Sequence, residues 1–573
     1  MIRTRLQRLK TKSTWKLIGV IMSGKMLGIL AVLGAMKGFA WFFDNPASAS
    51  PLAHQVAVQA KDLVSPVNTI WVLVTAFLVF FMQAGFMGLE AGFARSRETV
   101  NVLLECVFDT CLCGVLYWAF GFAFQFGNGN GLIGHQFFLL HGMTPAYGST
   151  QVAFLAFFLF QFAFADTAST VTSGAMVGRT GFKGDILYST CVSGFIYPIF
   201  GHWAWGPGGW LGNTMGWFHG WTGNAVFRDF AGSTVVHTVG GSIAIAGAIA
   251  LGPRLGRKFK RDGGGPLPPH DLTIGAIGGV ILWFGWYGFN PGSTLSAMDW
   301  AGIGRVAANT TLAACAAGLM AVVFVYPRSK KWDLGISVNG FLGGLVAITA
   351  PCYWVSPWGA IVVGGVAGIV VPLAVDLLEY LRIDDPIGAW PVHAAAGIWG
   401  TLSIGLLATG QYGVPTATGA DTSTVVRGLF YGGGGEQLFA QFIGSMTAVV
   451  LVTGVSLVIM YAIKSIRGTW NLRVSPDGEL EGLDLHEHGT AAYHVEFGQG
   501  MTYTTPAGLP GPGPGAPFSP SGPKADAPPA YVQTLEPASH TESETPEPDG
   551  RSAGQMPPGS EEAPLSTRSP WDL

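Results

Sequence analysis

The sequence predicts an all-α polytopic membrane protein, because of its composition, its apolar segments and the distribution of its basic residues. Only 11% of its 573 residues are charged and 49% are hydrophobic, whereas soluble domains carry roughly 25% charged residues. The 83 glycines fit this class, since small residues let helices approach closely in lipid. The net charge of −3 gives no indication of nucleic-acid binding, and none is expected.

Apolar segments of about 20 residues, the length that crosses some 30 Å of hydrocarbon, recur along the chain after residue 60. Eleven transmembrane helices are predicted, at 67–93, 105–126, 152–176, 185–205, 232–251, 272–290, 302–326, 335–355, 358–380, 388–409 and 437–463.

The loops between these segments predict an orientation, because cytoplasmic loops are enriched in lysine and arginine. One alternate set of loops holds Arg95, Arg97, Arg179, Lys183, Arg254, Arg257, Lys258, Lys260, Arg261, Arg328, Lys330, Lys331 and Arg382. The other set holds only Arg228 and Arg427. With the basic loops inside, the first helix begins outside and the chain ends in the cytoplasm, which requires an odd number of crossings.

Two histidines, His237 and His393, lie in separate apolar segments within a repeated context, Val-His-x-x-x-Gly, that ends at Gly241 and Gly397. A titratable side chain in a membrane helix is costly, normally faces a cavity or a partner, and marks a transport path. His237 is on the fifth predicted helix and His393 on the tenth, so the second five-helix unit must insert upside down. The pattern predicts a five-plus-five inverted repeat with both imidazoles near the midplane. The alternative is that each histidine only hydrogen-bonds a neighbouring helix.

Several longer motifs surround these histidines. They are Gln83-Ala-Gly-Phe, Leu89-Glu90-Ala-Gly-Phe, Asp229-Phe-Ala-Gly-Ser-Thr-Val-Val-His237, Gly285-Trp-Tyr-Gly-Phe-Asn-Pro-Gly-Ser293, Asp384-Asp-Pro-Ile-Gly-Ala-Trp-Pro-Val-His393 and Gly482-Leu-Asp-Leu-His-Glu-His-Gly489. Together they resemble the ammonium transporter (Amt/Mep/Rh) family, Amt branch, over about residues 65–495. The resemblance implies an ammonium transporter, with a pore through each subunit of a homotrimer.

The resemblance also implies an outer site that recruits ammonium, formed by Trp205, Ser293 and Asp229. An indole face attracts a cation and a hydroxyl accepts a hydrogen bond from it, although Trp205 also suits an interfacial tryptophan belt. The carboxylate of Asp229 would stabilise the cation, and it also suits a helix cap. We expect it to do both.

Phe164 and Phe289 match the family's two stacked aromatics that close the outer vestibule, where a hydrophobic constriction excludes hydrated ions. Ordinary helix packing is the alternative for both. His237 and His393 would form the hydrogen-bonded pair that lines the pore below and passes ammonia, and a proton relayed along them would make transport electrogenic.

Four further positions are open to more than one interpretation. Ser233 stands where the family often has a second glycine. Asp166, in the third helix, is either protonated, paired with another helix, or part of a second ion site. Glu90 and Asp109 match family positions and are expected to be buried hydrogen-bonding groups.

The ends of the chain differ from the predicted transmembrane domain at 65–463. Residues 1–49 indicate a signal peptide, with Ala47-Ser-Ala49 resembling a cleavage site, and an uncleaved extra helix is the alternative. Residues 464–498 are expected to form a structured cytoplasmic tail, which in the family can meet a PII-type signal protein. Residues 499–573, rich in Pro, Gly, Ser and Glu, are predicted to be disordered.

The predicted protein is therefore a multi-pass transporter of the inner (plasma) membrane, with its mature N-terminus outside, and not an enzyme. The six cysteines have no zinc-like spacing, so no metal or cofactor is expected. The rival functions are an ammonium sensor that signals through the tail, although no kinase or cyclase domain is recognisable after residue 500, and an Rh-like neutral ammonia channel.

Overall fold

The computed structural model describes residues 60–421 and 424–493. The predicted signal peptide at 1–49 and the predicted disordered tail at 499–573 lie outside the described residues, as do the last residues of the predicted structured tail.

Eleven helical segments run through the described residues in the predicted order. They are α1 (Val64–Phe93, with a turn at Phe81), α2 (Thr99–Phe126), α3 (Phe154–Gly174), α4 (182–205), α5 (Ser233–Leu251), α6 (Leu272–Gly292), α7 (Trp300–Ser329), α8 (Leu334–Thr349), α9 (Pro357–Leu381), α10 (390–407) and α11 (Glu436–Lys464). Eight of these are long and apolar enough to cross a membrane, and α4, α8 and α10 are the others. The all-α membrane fold is confirmed, and the count of eleven crossings stays a prediction.

Wider π-helical turns interrupt five of the segments. They are Tyr117–Gly121 in α2, Val192–Ile196 in α4, Ser233–Thr238 at the start of α5, Trp390–Ala395 at the start of α10 and Ala448–Val452 in α11. Such turns are rare and often occur at functional sites. His237 lies in the turn that begins α5, and His393 lies in the turn that begins α10.

Smaller elements complete the described part of the chain. Two antiparallel pairs join β1 (Ala146–Tyr147) to β2 (Val152–Ala153) and β3 (Val414–Thr416) to β4 (Gly419–Asp421). Short helical turns are Ala60–Leu63, Phe138–Leu140, Trp210–Asn213, Gly216–Phe218, His219–Thr222, Lys260–Asp262, Leu429–Tyr431 and Gly468–Trp470. The tail adds α12 (Pro476–Glu481) and α13 (Leu483–His488).

The two halves, α1–α5 and α6–α10, meet through close glycine contacts between α1 and α6. A side chain added at Gly85 would strike Leu282, and one added at Gly92 would strike Gly275. The contacts move down α1 as they move up α6, so these helices run in opposite directions, as an inverted repeat requires. Glycine permits the approach because it has no side chain.

The lateral surface of this helix bundle is apolar. Isoleucine, valine and leucine side chains on α1, α2, α6, α7 and α11 are more than half exposed, at Ile70, Val115, Val280, Leu319 and Val458. Exposed side chains of this kind suit contact with lipid or with another membrane protein. The names outer and inner for the two ends of the helices follow the orientation predicted from the basic loops.

The tail lies against the inner loops. Gly181 N donates to Leu472 O at 3.0 Å and Val474 N donates to Arg179 O at 3.2 Å. Asn101 N donates to Asp484 Oδ1 at 3.0 Å. The part of the tail that the structure describes is therefore held against the inner loops by backbone pairing and by a carboxylate that caps α2.

Candidate functional site

A cavity of about 760 Å³ opens at the outer end of the bundle. Its walls include Phe164, Trp205, Asp229 and Ser293, which come from α3, α4, the approach to α5 and the end of α6. Four side chains that are far apart in the sequence are thus brought to one cavity.

Asp229 organises the start of α5. Its Oδ1 accepts hydrogen bonds from Gly232 N at 2.8 Å and Ser233 N at 3.0 Å. Its Oδ2 accepts from Thr234 N at 2.8 Å and Val235 N at 2.9 Å. The carboxylate therefore satisfies four amides of the helix start and stabilises its positive end. Asp229 therefore caps α5, and the same side chain borders the outer cavity.

Trp205 is fixed beside this carboxylate. Its indole Nε1 donates to Asp229 O at 2.8 Å, and its ring meets Phe164 edge to face with centroids 6.2 Å apart. Ser293 Oγ donates to Phe289 O at 2.8 Å, which leaves its oxygen lone pairs free to accept a hydrogen bond.

An aromatic stack lies beneath the cavity. The rings of Phe164 and Phe289 are 4.0 Å apart between centroids and inclined by only 18°. Phe164 is 1% exposed and Phe289 is fully buried. Nothing polar is offered between the two faces, so a hydrated ion would lose its water here.

The two histidines meet below this stack. His237 Nδ1 lies 3.2 Å from His393 Nδ1, and the rings are stacked with centroids 5.2 Å apart. His237 is 5.4 Å from the Phe289 ring and its Nε2 has no protein partner. The structure thus brings the two imidazoles into contact between the halves, and their role in a pore stays a prediction.

Two neighbours of this pair were not singled out from the sequence. Trp286 stacks on His237 with centroids 5.3 Å apart and donates its Nε1 hydrogen to Thr349 Oγ1 at 2.9 Å. Asp385 caps the start of α10 by accepting from the amides of Gly388, Ala389 and Trp390. Its signal was present in the sequence, because Asp385 precedes His393 by as many residues as Asp229 precedes His237.

The repeated pattern is in fact Asp-x-x-Gly-x-x-x-x-His-x-x-x-Gly. Its first glycines, Gly232 and Gly388, have φ of 116° and 82°, a left-handed conformation that favours glycine. Its last glycines are reciprocal, since a side chain at Gly241 would strike Ala394 and one at Gly397 would strike Thr238. Each motif therefore packs on the residue that follows the other histidine.

A second cavity, of about 610 Å³, lies at the inner loops and includes Asp384, Asp385 and Pro391 in its walls. Arg254 Nε donates to Asp384 Oδ2 at 2.8 Å and Arg179 Nη2 donates to Asp384 O at 2.6 Å. Burial raises the pKa of the Asp384 carboxyl, but hydrogen bonds from Arg254 and the charge of Arg179 outweigh burial and hold that pKa well below its usual range.

Ser233 and Asp166, which the sequence left open to more than one interpretation, lie close to the stack and the histidine pair. Ser233 Oγ donates to Val346 O and accepts from Ala350 N, both at 2.6 Å, so the hydroxyl ties α5 to the end of α8. Asp166 is fully buried and is not part of the cavity wall. Across residues 60–421 and 424–493, no group of acids, histidines and cysteines has metal-binding geometry.

The fold and the site define a polytopic membrane protein whose inverted halves enclose an outer cavity, an aromatic constriction and a buried histidine pair. Residues 70–493 match the model of the Ammonium Transporter Family. The chain belongs to that family, as its motifs predict.

Curated relatives and solved structures agree. The chain is 40% identical over 454 residues to ammonium transporter Amt2 of Archaeoglobus fulgidus, covering 78% of this chain and 92% of that one. It is 38% identical to ammonium transporter 1 member 2 of Arabidopsis thaliana, covering 70% and 79%. Its fold is similar to a structure described as a sensor Amt protein, with a TM-score of 0.66, 34% identity and coverage of 75% and 100%. It is also similar to Candida albicans Mep2, with a TM-score of 0.64, 27% identity and coverage of 73% and 89%.

Proposed function

We propose that this protein carries ammonium across the plasma membrane by removing its proton at the aromatic constriction and passing ammonia along the histidine pair. The observation that carries the proposal is the vertical order of the site: a cavity bordered by a carboxylate and an indole, then a dry phenylalanine stack, then two imidazoles in contact. Each level suits one step.

The outer cavity is suited to a partly dehydrated cation. The face of Trp205 offers attraction worth about 0.5–2 kcal/mol, and Asp229, though occupied by four amides, keeps a negative charge beside the cavity. Ser293 offers an acceptor for one N–H of the cation. Replacing Trp205 with leucine should therefore raise the half-saturating ammonium concentration by about 2-fold to 30-fold.

The phenylalanine stack selects the substrate, because only a species that can lose both its water and its charge can pass it. Ammonium and potassium ions are similar in size, so a rigid cage would separate them poorly. Ammonium can release a proton and enter as a small neutral molecule, whereas potassium cannot, and burying its unpaired charge is very costly.

The histidine pair offers ammonia one donor and one acceptor. When one Nδ1 carries the shared proton, its ring has a bare Nε2 that accepts, and the other ring carries its hydrogen on Nε2 and donates. Ammonia can therefore be hydrogen-bonded in an otherwise apolar passage without meeting a fixed charge. The proton crosses separately, so we expect the net process to be electrogenic.

Ammonium-evoked current in proteoliposomes tests this proposal. His237→Ala and Asp229→Ala should each lower the current by roughly tenfold or more, and Gly365→Ala, at an open site on α9, should leave it unchanged. Unchanged current in both site variants would refute the assigned roles. Ammonia entry without current would favour the neutral channel instead.

A sensor is the second candidate, favoured by the likeness to the sensor Amt structure and by the contacts of the tail with the inner loops. A sensor would bind ammonium at Trp205 and Asp229 and move the tail without measurable flux. We further propose a homotrimer, supported by the exposed apolar helix faces, and a PII-type signal protein as partner of the tail. Chemical crosslinking and co-purification with a PII-type protein test the two assemblies.

A further inference from the structure

An arginine stands in the wall of the outer cavity, beside the residues that are proposed to recruit ammonium. Among the described residues that form this wall, only Arg228 and Asp229 carry a formal charge. Arg228 is half-buried, and with Arg427 it is one of only two basic residues in the predicted outer loops. A positive charge in a cavity that receives a cation calls for an explanation, because like charges repel.

The guanidinium of Arg228 has no partner of opposite charge. In the part of the chain that the structure describes, it forms no ion pair, and both hydrogen bonds of this residue are made by its backbone. The arginines at the inner loops differ, since Arg254 pairs with Asp384 and Arg257 pairs with Glu379. Charges that are taken out of water are usually paired, so the unpaired guanidinium is an exception.

The backbone around Arg228 is held by α11. Arg228 N donates to Gln441 Oε1 at 2.8 Å, and Gln441 Nε2 donates to Arg228 O at 2.6 Å. Gln437 Nε2 donates to Val226 O and to Gln441 Oε1, both at 2.9 Å. Both glutamines are buried. The two polar backbone atoms of Arg228 are thus bound by a buried side chain, so the residue is fixed in place while its guanidinium is left to the cavity.

The same stretch of backbone holds the indole that is proposed to recruit the cation. Trp205 Nε1 donates to Asp229 O at 2.8 Å, and Asp229 directly follows Arg228 in the chain. Consecutive Cα atoms are about 3.8 Å apart, so the arginine and the indole are anchored at neighbouring points. A cation on the face of Trp205 would therefore experience the positive charge of Arg228.

The carboxylate of Asp229 does not neutralise this arginine. Its two oxygens accept four amide hydrogens at the start of α5, and the positive end of that helix offsets its charge. Burial lowers the pKa of the Arg228 guanidinium, but an arginine stays protonated at neutral pH. The wall of the cavity thus keeps a positive charge that no carboxylate compensates closely.

A positive charge beside a bound cation has two effects. It weakens the binding of ammonium, because the two charges repel. It also favours loss of the proton, because a like charge nearby disfavours the charged form of an acid. Ammonia is neutral and experiences no such repulsion, so the charge that weakens the binding of ammonium leaves the binding of ammonia unchanged.

We propose that Arg228 is an affinity-determining residue of the outer cavity, whose positive charge makes bound ammonium a weaker ligand and a stronger acid. The inference rests on the transport function proposed above and explains its first step. In that step one N–H bond of ammonium breaks, the electron pair stays on the nitrogen, and the proton passes to water on the outer side of the phenylalanine stack. Arg228 takes no part in the bond changes and acts through its charge.

Ammonium-evoked current in proteoliposomes, recorded over a range of ammonium concentrations, tests the inference with Arg228→Gln. Glutamine keeps a polar side chain but removes the charge. The half-saturating ammonium concentration should fall by about threefold to thirtyfold, because the cation is no longer repelled. The maximal current should also fall several-fold, because ammonium that is held more tightly in its charged form releases its proton less readily.

Two further variants separate charge from structure. Arg228→Lys keeps the charge and should recover most of both parental values, since the side chain of Arg228 makes no hydrogen bond to lose among the described residues. Arg427→Gln is the matched control, because it removes the same charge from an exposed residue that is not part of the cavity wall. It should match the parent.

Parental values of both quantities in Arg228→Gln would overturn the inference while leaving the proposed function intact. A higher half-saturating concentration in this variant, or equal changes in the glutamine and lysine variants, would also overturn it, because Arg228 would then only support the cavity. Calorimetric titration of ammonium into the detergent-solubilised protein separates the two proposals. A parent that binds ammonium but gives no current would refute transport, and the affinities of the parent and of Arg228→Gln would still decide the role of the arginine.

Discussion

The two halves of the molecule repeat the same backbone device around their histidines but bury different acids. In both halves an aspartate caps a π-helical turn, a left-handed glycine follows, and a later glycine packs against the opposite motif. Among the described residues, helices α1–α4 of the first half hold five acids that are at most 2% exposed and form no ion pair. In the second half, Glu379 pairs with Arg257, and the more exposed Asp376 pairs with Lys260 and Arg328. Symmetry is therefore kept where the halves meet and is lost among the acids inside the helices.

The largest effect should come from the reciprocal glycines, where the halves are alike. Gly241→Val and Gly397→Val force a side chain into the backbone or side chain of the opposite motif, and each should cost about 3 kcal/mol of folding free energy. Gly365→Val, where no atom lies within 4 Å, is the control. Thermal unfolding in detergent measures all three, and a much smaller effect in one half would show that the motifs are not equivalent.

Neutralising a buried acid should have a different effect on stability in each half. Glu379→Gln leaves the buried Arg257 without one of its charged partners, at a cost of about 2–3 kcal/mol. Asp185→Asn replaces an acid that has no cation partner, so the midpoint of thermal unfolding should change little. Equal destabilisation by the two changes would contradict the contrast between paired and unpaired acids.

The two capping aspartates offer a finer comparison. Asp229→Ala and Asp385→Ala should each lower stability by about 1 kcal/mol, because four and three amides lose their acceptor. Asparagine should restore most of that stability in both halves. It should restore transport only at position 385, since only Asp229 borders the outer cavity. Binding curves for ammonium alongside unfolding curves distinguish capping from cation binding.

The smallest effect concerns the tail, which contacts the first half. Burial lowers the pKa of His488, and the nearby carboxylates Glu487 and Asp484 offset only part of that shift. The released tail therefore binds a proton more readily than the docked tail. Docking is favoured above the ordinary histidine pKa of about 6.5 and weakens as the pH falls below it. Amide protection in α13, measured relative to the intrinsic exchange rate at each pH, should fall several-fold on acidification, and His488→Gln should remove most of that dependence.

Hydropathy predicted the bounds of most helices closely, because an apolar run of about 20 residues is typical of a membrane-spanning helix. The prediction of 272–290 corresponds to Leu272–Gly292, and that of 437–463 to Glu436–Lys464. It was less accurate where polar side chains are hydrogen-bonded inside helices or where proline intervenes. The second helix begins at Thr99 rather than 105, since Asn101 and Glu105 satisfy each other. The eighth ends at Thr349 rather than 355, just before Pro351, whose ring disfavours helix at the preceding residue.

The sequence by itself determined the class of protein, the inverted repeat and the candidate residues Trp205, Asp229, His237, His393 and their aromatic neighbours. Those features are local, because composition, loop charge and motif spacing are all read along one chain. Only the tertiary structure decided that the imidazoles touch, that Asp385 mirrors Asp229, and that the acids of α1–α4 are buried without ion pairs. Such relations join helices far apart in the chain, and a side chain's neighbours across a helix interface leave no periodicity in its own segment.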